Sequence, residues 1–245
     1  PAGANTVLVV ATGTAGAAQK VLRATLSTQF TTSNAFRTNG DLTISGDPTL
    51  NGTCGNAHTN KDLDISGGPS FTTLATASGT YAGNAAYGQG DQPKKTIPVI
   101  SPASFLTAAQ QTLPANQLYQ MKSIYGIYGM VLDGSGAVIT YLQDGMSYRG
   151  WKFKSGTPVR WEYNNDTAHD GTYYLEGDVK VSGNPGSTAT PWKTTILATR
   201  NIEIPTDPTV SSHLKDTFLV SGLDIKISGD PKQSTPGIIA AHEQI

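Results

Sequence analysis

Five short runs of this chain alternate aliphatic with polar residues and then break on a turn that ends in proline. They are Asp41-Leu-Thr-Ile44-Ser-Gly-Asp-Pro48, Asp62-Leu-Asp-Ile65-Ser-Gly-Gly-Pro69, Asp178-Val-Lys-Val181-Ser-Gly-Asn-Pro185, Asn201-Ile-Glu-Ile204-Pro-Thr-Asp-Pro208 and Asp224-Ile-Lys-Ile227-Ser-Gly-Asp-Pro231. An alternation of period two is the pattern of a strand with one buried face. It turns Leu42 and Ile44, Leu63 and Ile65, Val179 and Val181, Ile202 and Ile204, and Ile225 and Ile227 inward. The second inward residue recurs after 21 positions from Ile44 to Ile65, and after 23 from Val181 to Ile204 and again to Ile227. Repeats of that length signal a solenoid. They hold three short strands with their corners and are too short for a helix pair. The expected fold is therefore all-β, a parallel β-helix whose coils stack about 4.8 Å apart. Burial of the aliphatic columns is worth roughly 1.5–3 kcal/mol per side chain before entropy.

The residues around these runs read as corners and as register marks. Gly46, Gly67, Gly183 and Gly229 follow the last inward residue by two, where a corner needs permissive backbone angles, and the proline sets the direction of the next segment. Asp41, Asp62, Asp178, Asn201 and Asp224 are expected to accept hydrogen bonds from their own turns; a calcium-holding column is the less favoured reading. Outward Lys180, Glu203 and Lys226 should stand side by side with alternating sign, at about 0.2–1 kcal/mol per exposed pair.

Four segments follow from the same pattern. Residues 1–36 form an N-terminal β-hairpin or cap, with strands over 6–12 and 19–27; Leu22, Ala24 and Leu26 alternate there with Arg23 and Thr25. Residues 37–90 carry the first rungs, two clear and a degenerate third through Phe71, Leu74, Tyr81 and Ala86. Residues 91–170 are a central inserted region. In it Pro93, Pro98 and Pro102 favour an extended crossing, and Ser101-Pro102 starts one short helix through about Gln111, with Phe105, Ala108 and Ala109 on its buried face. A hairpin at Asp133-Gly-Ser-Gly136 and aromatic strands around Trp151, Phe153, Trp161 and Tyr163 complete it. Residues 171–245 carry the second set of rungs, and one continuous domain is expected.

Composition narrows the function. Charged residues are 14% of the 245 and the net charge is −1, so no field exists to recruit nucleic acid or an anionic membrane. The single Cys54 excludes an intrachain disulfide framework and a four-cysteine zinc site. No run approaches the roughly 20 apolar residues of a spanning helix. The start at Pro1 and an end at Ile245, short of the next inward position, read as a piece excised from something longer. His58, His169 and His242 each follow an alanine but are dozens of residues apart, which favours corner hydrogen bonding over a metal site. Glu162, Asp166, Asp170 and Glu176 form no recognisable acid and base pair, and no nucleophile elbow, phosphate loop or His-Glu-x-x-His is present. No enzyme activity, catalytic residue, metal or cofactor is expected. Trp151, Trp161 and Tyr163, in the densest aromatic stretch, are the candidate ligand-binding residues, since exposed rings bind sugars or partner proteins. Their strand parity equally suits a buried sheet.

The Ser-Gly-(Asp/Asn)-Pro rungs, the phrase Gly171-Thr-Tyr-Tyr-Leu-Glu-Gly-Asp-Val-Lys-Val-Ser-Gly-Asn-Pro185 and the opening Ala11-Thr-Gly-Thr-Ala-Gly-Ala-Ala together resemble bacterial type IV pilus assembly proteins of the PilX-like, minor-pilin-like group. The resemblance implies a β-rich body outside the cell and a pilin-like hydrophobic helix ahead of these residues as the membrane anchor. The resulting expectation is a non-enzymatic, exported structural or adhesive β-solenoid at the bacterial cell surface, pilus-associated or filament-forming. Its partners would be other pilus or filament subunits, further copies of itself through open solenoid ends, or a surface glycan. The alternative is a secreted β-helix that binds or cleaves polysaccharide, which calls for a groove with exposed rings and two converging carboxylates.

Overall fold

A computed structural model describes residues 6–15, 18–27, 36–47, 49–50, 55–96, 101–229, 231–233 and 238–241. Parallel coils stack into a β-solenoid of about nine turns, with strands far outweighing the one α-helix. The chain gathers into two compact units, Pro1–Arg37 with Asp41–Lys94, and Thr38–Gly40 with Lys95–Ile245.

In the first unit Thr6–Ala15 and Ala18–Ser27 pair antiparallel in a two-stranded sheet of their own. Three coils follow. Leu42–Ser45, Leu63–Ser66 and Tyr81–Ala82 lie parallel, with Leu42 beside Leu63, Ile44 beside Ile65, and Tyr81 next in the column after Leu63. A second parallel face runs through Ala57–Thr59, Ala75–Ala77 and Gly88–Gln89. Its inward side chains Ala57, Ala75 and Ala77 are fully buried against Leu63 and Ile65, so a large aliphatic on one face meets a methyl group on the other.

The second unit has a six-stranded and a nine-stranded sheet. On the smaller sheet Trp161 lies beside Val179, Val179 beside Ile202, and Ile202 beside Ile225. Phe153 pairs with Trp161, and Trp151 with Tyr163, across an antiparallel hairpin. The aromatic strands are thus the first members of the aliphatic columns, and coil stacking in this unit starts ahead of Gly171. On the larger sheet Leu118–Ile124, Gly171–Leu175, Trp192–Ala198 and Thr217–Ser221 lie parallel, placing Tyr119, Tyr173, Ile196 and Leu219 in one column. At the first-coil end both sheets finish in antiparallel hairpins. Tyr128–Asp133 and Val138–Leu142 extend the larger sheet; Ser147–Tyr148 and Trp151–Lys154 extend the smaller.

The helix spans Pro102–Thr112, with proline in its first turn and Ser101 at the N-cap, although the Ser101 side chain makes no capping bond. Its packed stripe is buried Ala109 with half-buried Leu106 and Leu113, which meet Leu118 and Leu214. Ala108, expected on that face, is exposed and Phe105 only half-buried. Leu106 takes their place because spacings of three and four residues keep it in line with Ala109 and Leu113. Beneath this cover Thr194–Ala198 is buried on both faces, although Thr194 and Thr195 are polar and only Ile196, Leu197 and Ala198 are apolar.

The corner glycines have two causes. Gly46 and Gly67 adopt positive φ, +80° and +128°. Gly183 and Gly229 do not; there a Cβ would strike the backbone of the preceding coil, at Asn165 and Thr206 respectively. Close coil approach alone demands glycine at Gly183 and Gly229, whereas Gly67 has both causes, since a Cβ there would also strike the Gly46 carbonyl.

Candidate functional surface

Trp151, Trp161 and Tyr163 are wholly buried. Tyr163 stacks on Trp192 at 4.4 Å between centroids and meets Trp151 edge-on at 5.0 Å, and Phe153 lies 5.0 Å from Trp161. Trp161 Nε1 donates to the Glu176 carbonyl at 3.0 Å, and Trp192 Nε1 to the His169 carbonyl at 2.8 Å. Tyr163 OH donates to the Thr167 carbonyl at 2.7 Å and accepts the His169 N–H at 3.2 Å; burial pushes its pKa up to about 12. Trp151 Nε1 is buried and meets no acceptor among the described residues. These rings are the core of the unit, and their faces are occupied by one another.

The corner acids bond from coil to coil, not within their own turns as expected. Asp41 Oδ1 accepts the backbone N–H of Asp62 at 3.3 Å, and Asp62 Oδ1 that of Thr80 at 2.7 Å. Asp178 Oδ1 accepts from Asn201 N, and Asn201 Oδ1 from Asp224 N, at 3.3 and 3.2 Å. A second column at the proline corner repeats the device: Asp166 to Asn184 N at 2.8 Å, Asn184 to Asp207 N at 2.9 Å, and Asp47 to Gly68 N at 2.7 Å. A sheet ladder stops at a corner, and these side chains carry backbone pairing across the gap.

Three further acids are also engaged. Glu162 pairs with Arg160 at 3.3 Å, Glu176 Oε2 accepts the Ser123 N–H at 3.2 Å, and Asp170 Oδ1 accepts the Lys193 N–H at 3.0 Å. The outward column runs Lys152, Glu162, Lys180, Glu203 and Lys226, neighbours with alternating sign over five adjacent strands. Lys180 and Glu203 form an ion pair at 3.3 Å. Sequence reasoning placed three members of this column and missed Lys152 and Glu162, whose signal was the apolar, charged, apolar order of Trp161-Glu162-Tyr163.

His58 is buried, with Nδ1 at 2.7 Å from Thr76 Oγ1 and Nε2 at 3.0 Å from Asn60 Oδ1. His169 sits by the Tyr163 and Tyr173 hydroxyls, and burial, with Arg149 nearby, lowers its pKa. His242 and Cys54 lie outside the described residues. Among the described residues no three His, Cys, Asp or Glu side chains gather as metal ligands, and no helix is long and apolar enough to cross a membrane.

The exposed aromatic surface lies elsewhere, on the hairpin that ends the larger sheet and on the turn that leads into it. Tyr125 is 94% exposed, Tyr141 57% and Tyr128 48%, accompanied by Ile127, Val138 and Ile139. Tyr128, Met130 and Tyr141 share one face, because Met130 is directly opposite Tyr141. Sequence reasoning missed this surface. Its signal was Ile124-Tyr-Gly-Ile127, a two-residue turn with an aromatic where Asn or Gly is usual. Comparison with protein-family models, with curated proteins and with solved structures returns no match.

Proposed function

We propose that this chain is a non-enzymatic, exported β-solenoid serving as a structural or adhesive module of a bacterial surface appendage, pilus-associated or filament-forming. The observation that carries the reading is the use made of the polar side chains. The corner Asp and Asn residues join successive coils, while Asp170 and Glu176 accept backbone N–H groups within the stack. Acids spent in this way tie coil to coil, and among the described residues these side chains do not converge as an acid and base pair. The low charge density and the Thr, Ser and Gly-rich corners suit a body that meets solvent and neighbours rather than nucleic acid. The similarity of the rung phrases to PilX-like proteins supplies the pilus setting. The polysaccharide alternative loses support from Trp151, Trp161 and Tyr163, whose rings have no open face.

The test is localisation in the source bacterium. Antibody against this chain should detect it in sheared surface material and label filaments in electron micrographs, and deletion of the gene should change filament number or attachment. Recovery of the protein only from the cytoplasmic fraction would sink the proposal. Release of reducing ends from a polysaccharide library would replace it with the enzymatic alternative.

A further inference from the structure

The strand Val138–Leu142 closes the nine-stranded sheet. It pairs on one side with Tyr128–Asp133, and on the other with no strand among the described residues. An open edge of this kind is normally guarded by charge or proline. From Gly134 to Gln143 there is neither. A bulge at Ile139 is the one protective device present, and beyond it Thr140, Tyr141 and Leu142 run in regular register.

A second observation points the same way. Tyr125 sits at φ +53° in the two-residue turn Ile124–Ile127, closed by Ile127 N–H to the Ile124 carbonyl at 3.1 Å. A bulky residue there is strained, and such strain persists where the surroundings hold it. Arg149, the other long side chain at positive φ (+47°), has an evident reason: its guanidinium lies 4.7 Å above the Tyr119 ring and donates to the Asp170 carbonyl at 2.7 Å. The Tyr125 ring instead projects into solvent. Its turn is pinned, with Gly126 N–H donating to Ser123 Oγ at 3.1 Å and the Gly126 carbonyl accepting Gly156 N–H at 3.0 Å. The fold therefore holds an exposed aromatic in a fixed turn at the start of the strand that pairs with an unguarded edge.

We propose that this edge is where two copies of the chain join, antiparallel across a two-fold axis, with the tyrosines covering one another. A free strand edge asks for another strand, and so for polypeptide rather than glycan. Pairing centred on Tyr141 sets Thr140 against Leu142 of the second copy and brings the two Tyr141 rings together, clear of the bulge. This strand is then its own complement, as a two-fold contact requires. No charges are brought face to face, and a net charge of −1 per copy offers little repulsion. The three tyrosines expose about two whole side chains between them, roughly 300–500 Å². Ile127, Val138, Ile139 and the strand backbone bring the contact toward the roughly 800 Å² that each partner gives a standard interface.

The contact stands on the edge and its tyrosines, independently of the surface-appendage reading, which cell fractionation tests separately. Sedimentation velocity of the purified chain over a concentration series should show conversion from monomer to dimer in the micromolar range. Tyr141→Lys should abolish the dimer and leave the melting temperature unchanged when parent and variant are both melted at concentrations where the parent is monomeric. Tyr125→Asn should weaken the dimer while raising the melting temperature, because it relieves the backbone; a merely damaged fold would lower both. A chain that stays monomeric at the highest concentration, or a Tyr141→Lys chain that dimerises as the parent does, overturns the proposal. So does a monomer that binds glycan through these tyrosines, which would return the surface to the carbohydrate reading.

Discussion

Asn201 donates its side-chain amide to Asp178 Oδ1 at 3.0 Å across one coil of the second unit. The same residue accepts the Asp224 N–H from the coil beyond, so one amide links three successive coils. Asn201→Ala should cost about 1–2 kcal/mol, since the Asp224 N–H and one Asp178 oxygen lose a partner where water only partly replaces it. Asn201→Asp keeps the acceptor but loses the donor and sets two carboxylates together. It should destabilise more at low salt than at high, where screening shortens the reach of the repulsion. Urea midpoints at two ionic strengths measure both; equal midpoints for all three chains would show that the column carries no stability.

The two glycine classes separate in the same assay. Gly46→Ala meets open space and only an unfavourable φ, a cost of about 1–2 kcal/mol. Gly183→Ala drives a methyl into the Asn165 backbone, and because that backbone is locked into the stack the loss should reach about 3 kcal/mol or prevent folding. Similar midpoints for the two variants would mean that the coils yield easily.

Trp151 and Trp161 are equally buried but differ in one bond. Trp161→Phe strands the Glu176 carbonyl and opens a void, at about 3 kcal/mol. Trp151→Phe opens a similar void but removes a buried N–H that meets no acceptor among the described residues, which offsets part of the loss. Thermal melts should rank Trp151→Phe above Trp161→Phe by several degrees.

The corner and the strand were legible in the sequence because both are local. Leu42, Ile44 and their successors alternate, and a four-residue turn ending in proline marks where each run stops. Ser101-Pro102 located the helix start for the same reason. What the corner acids bond to was not legible, since Asp62 has an amide in its own turn and another one coil away, and only the stacked geometry selects between them. Trp161 and Tyr163 were ambiguous because their coil lacks the proline corner; Asn165 and Asp166 serve there instead, and inward parity alone does not tell a core ring from a surface one. Tyr125 went unread because its placement contradicts turn preference, and local preference is what a sequence displays.

Stability should fall at both ends of the pH scale, because burial favours the uncharged form of tyrosine and of histidine alike. Burial raises Tyr163 from 10 to about 12, and raises Tyr173 also, against the opposing pull of Arg149. A folded-state pKa above the unfolded value means that the stability is complete below pH 10 and is lost as pH rises through 12. On the acid side His213 is lowered, first by burial and then by Lys193 and Arg149, with Asp170 opposing; its Nδ1 lies 3.0 Å from Thr172 Oγ1. Here the stability is present above the unfolded value of 6.5 and lost as pH falls through the folded one. Urea midpoints should therefore be flat from about pH 7 to 9.5 and decline on either side. Tyr163→Phe should lower the plateau, because the His169 N–H and Thr167 carbonyl lose their partner, yet soften the alkaline decline. An alkaline limb identical in slope to the parent would place the titrating groups elsewhere.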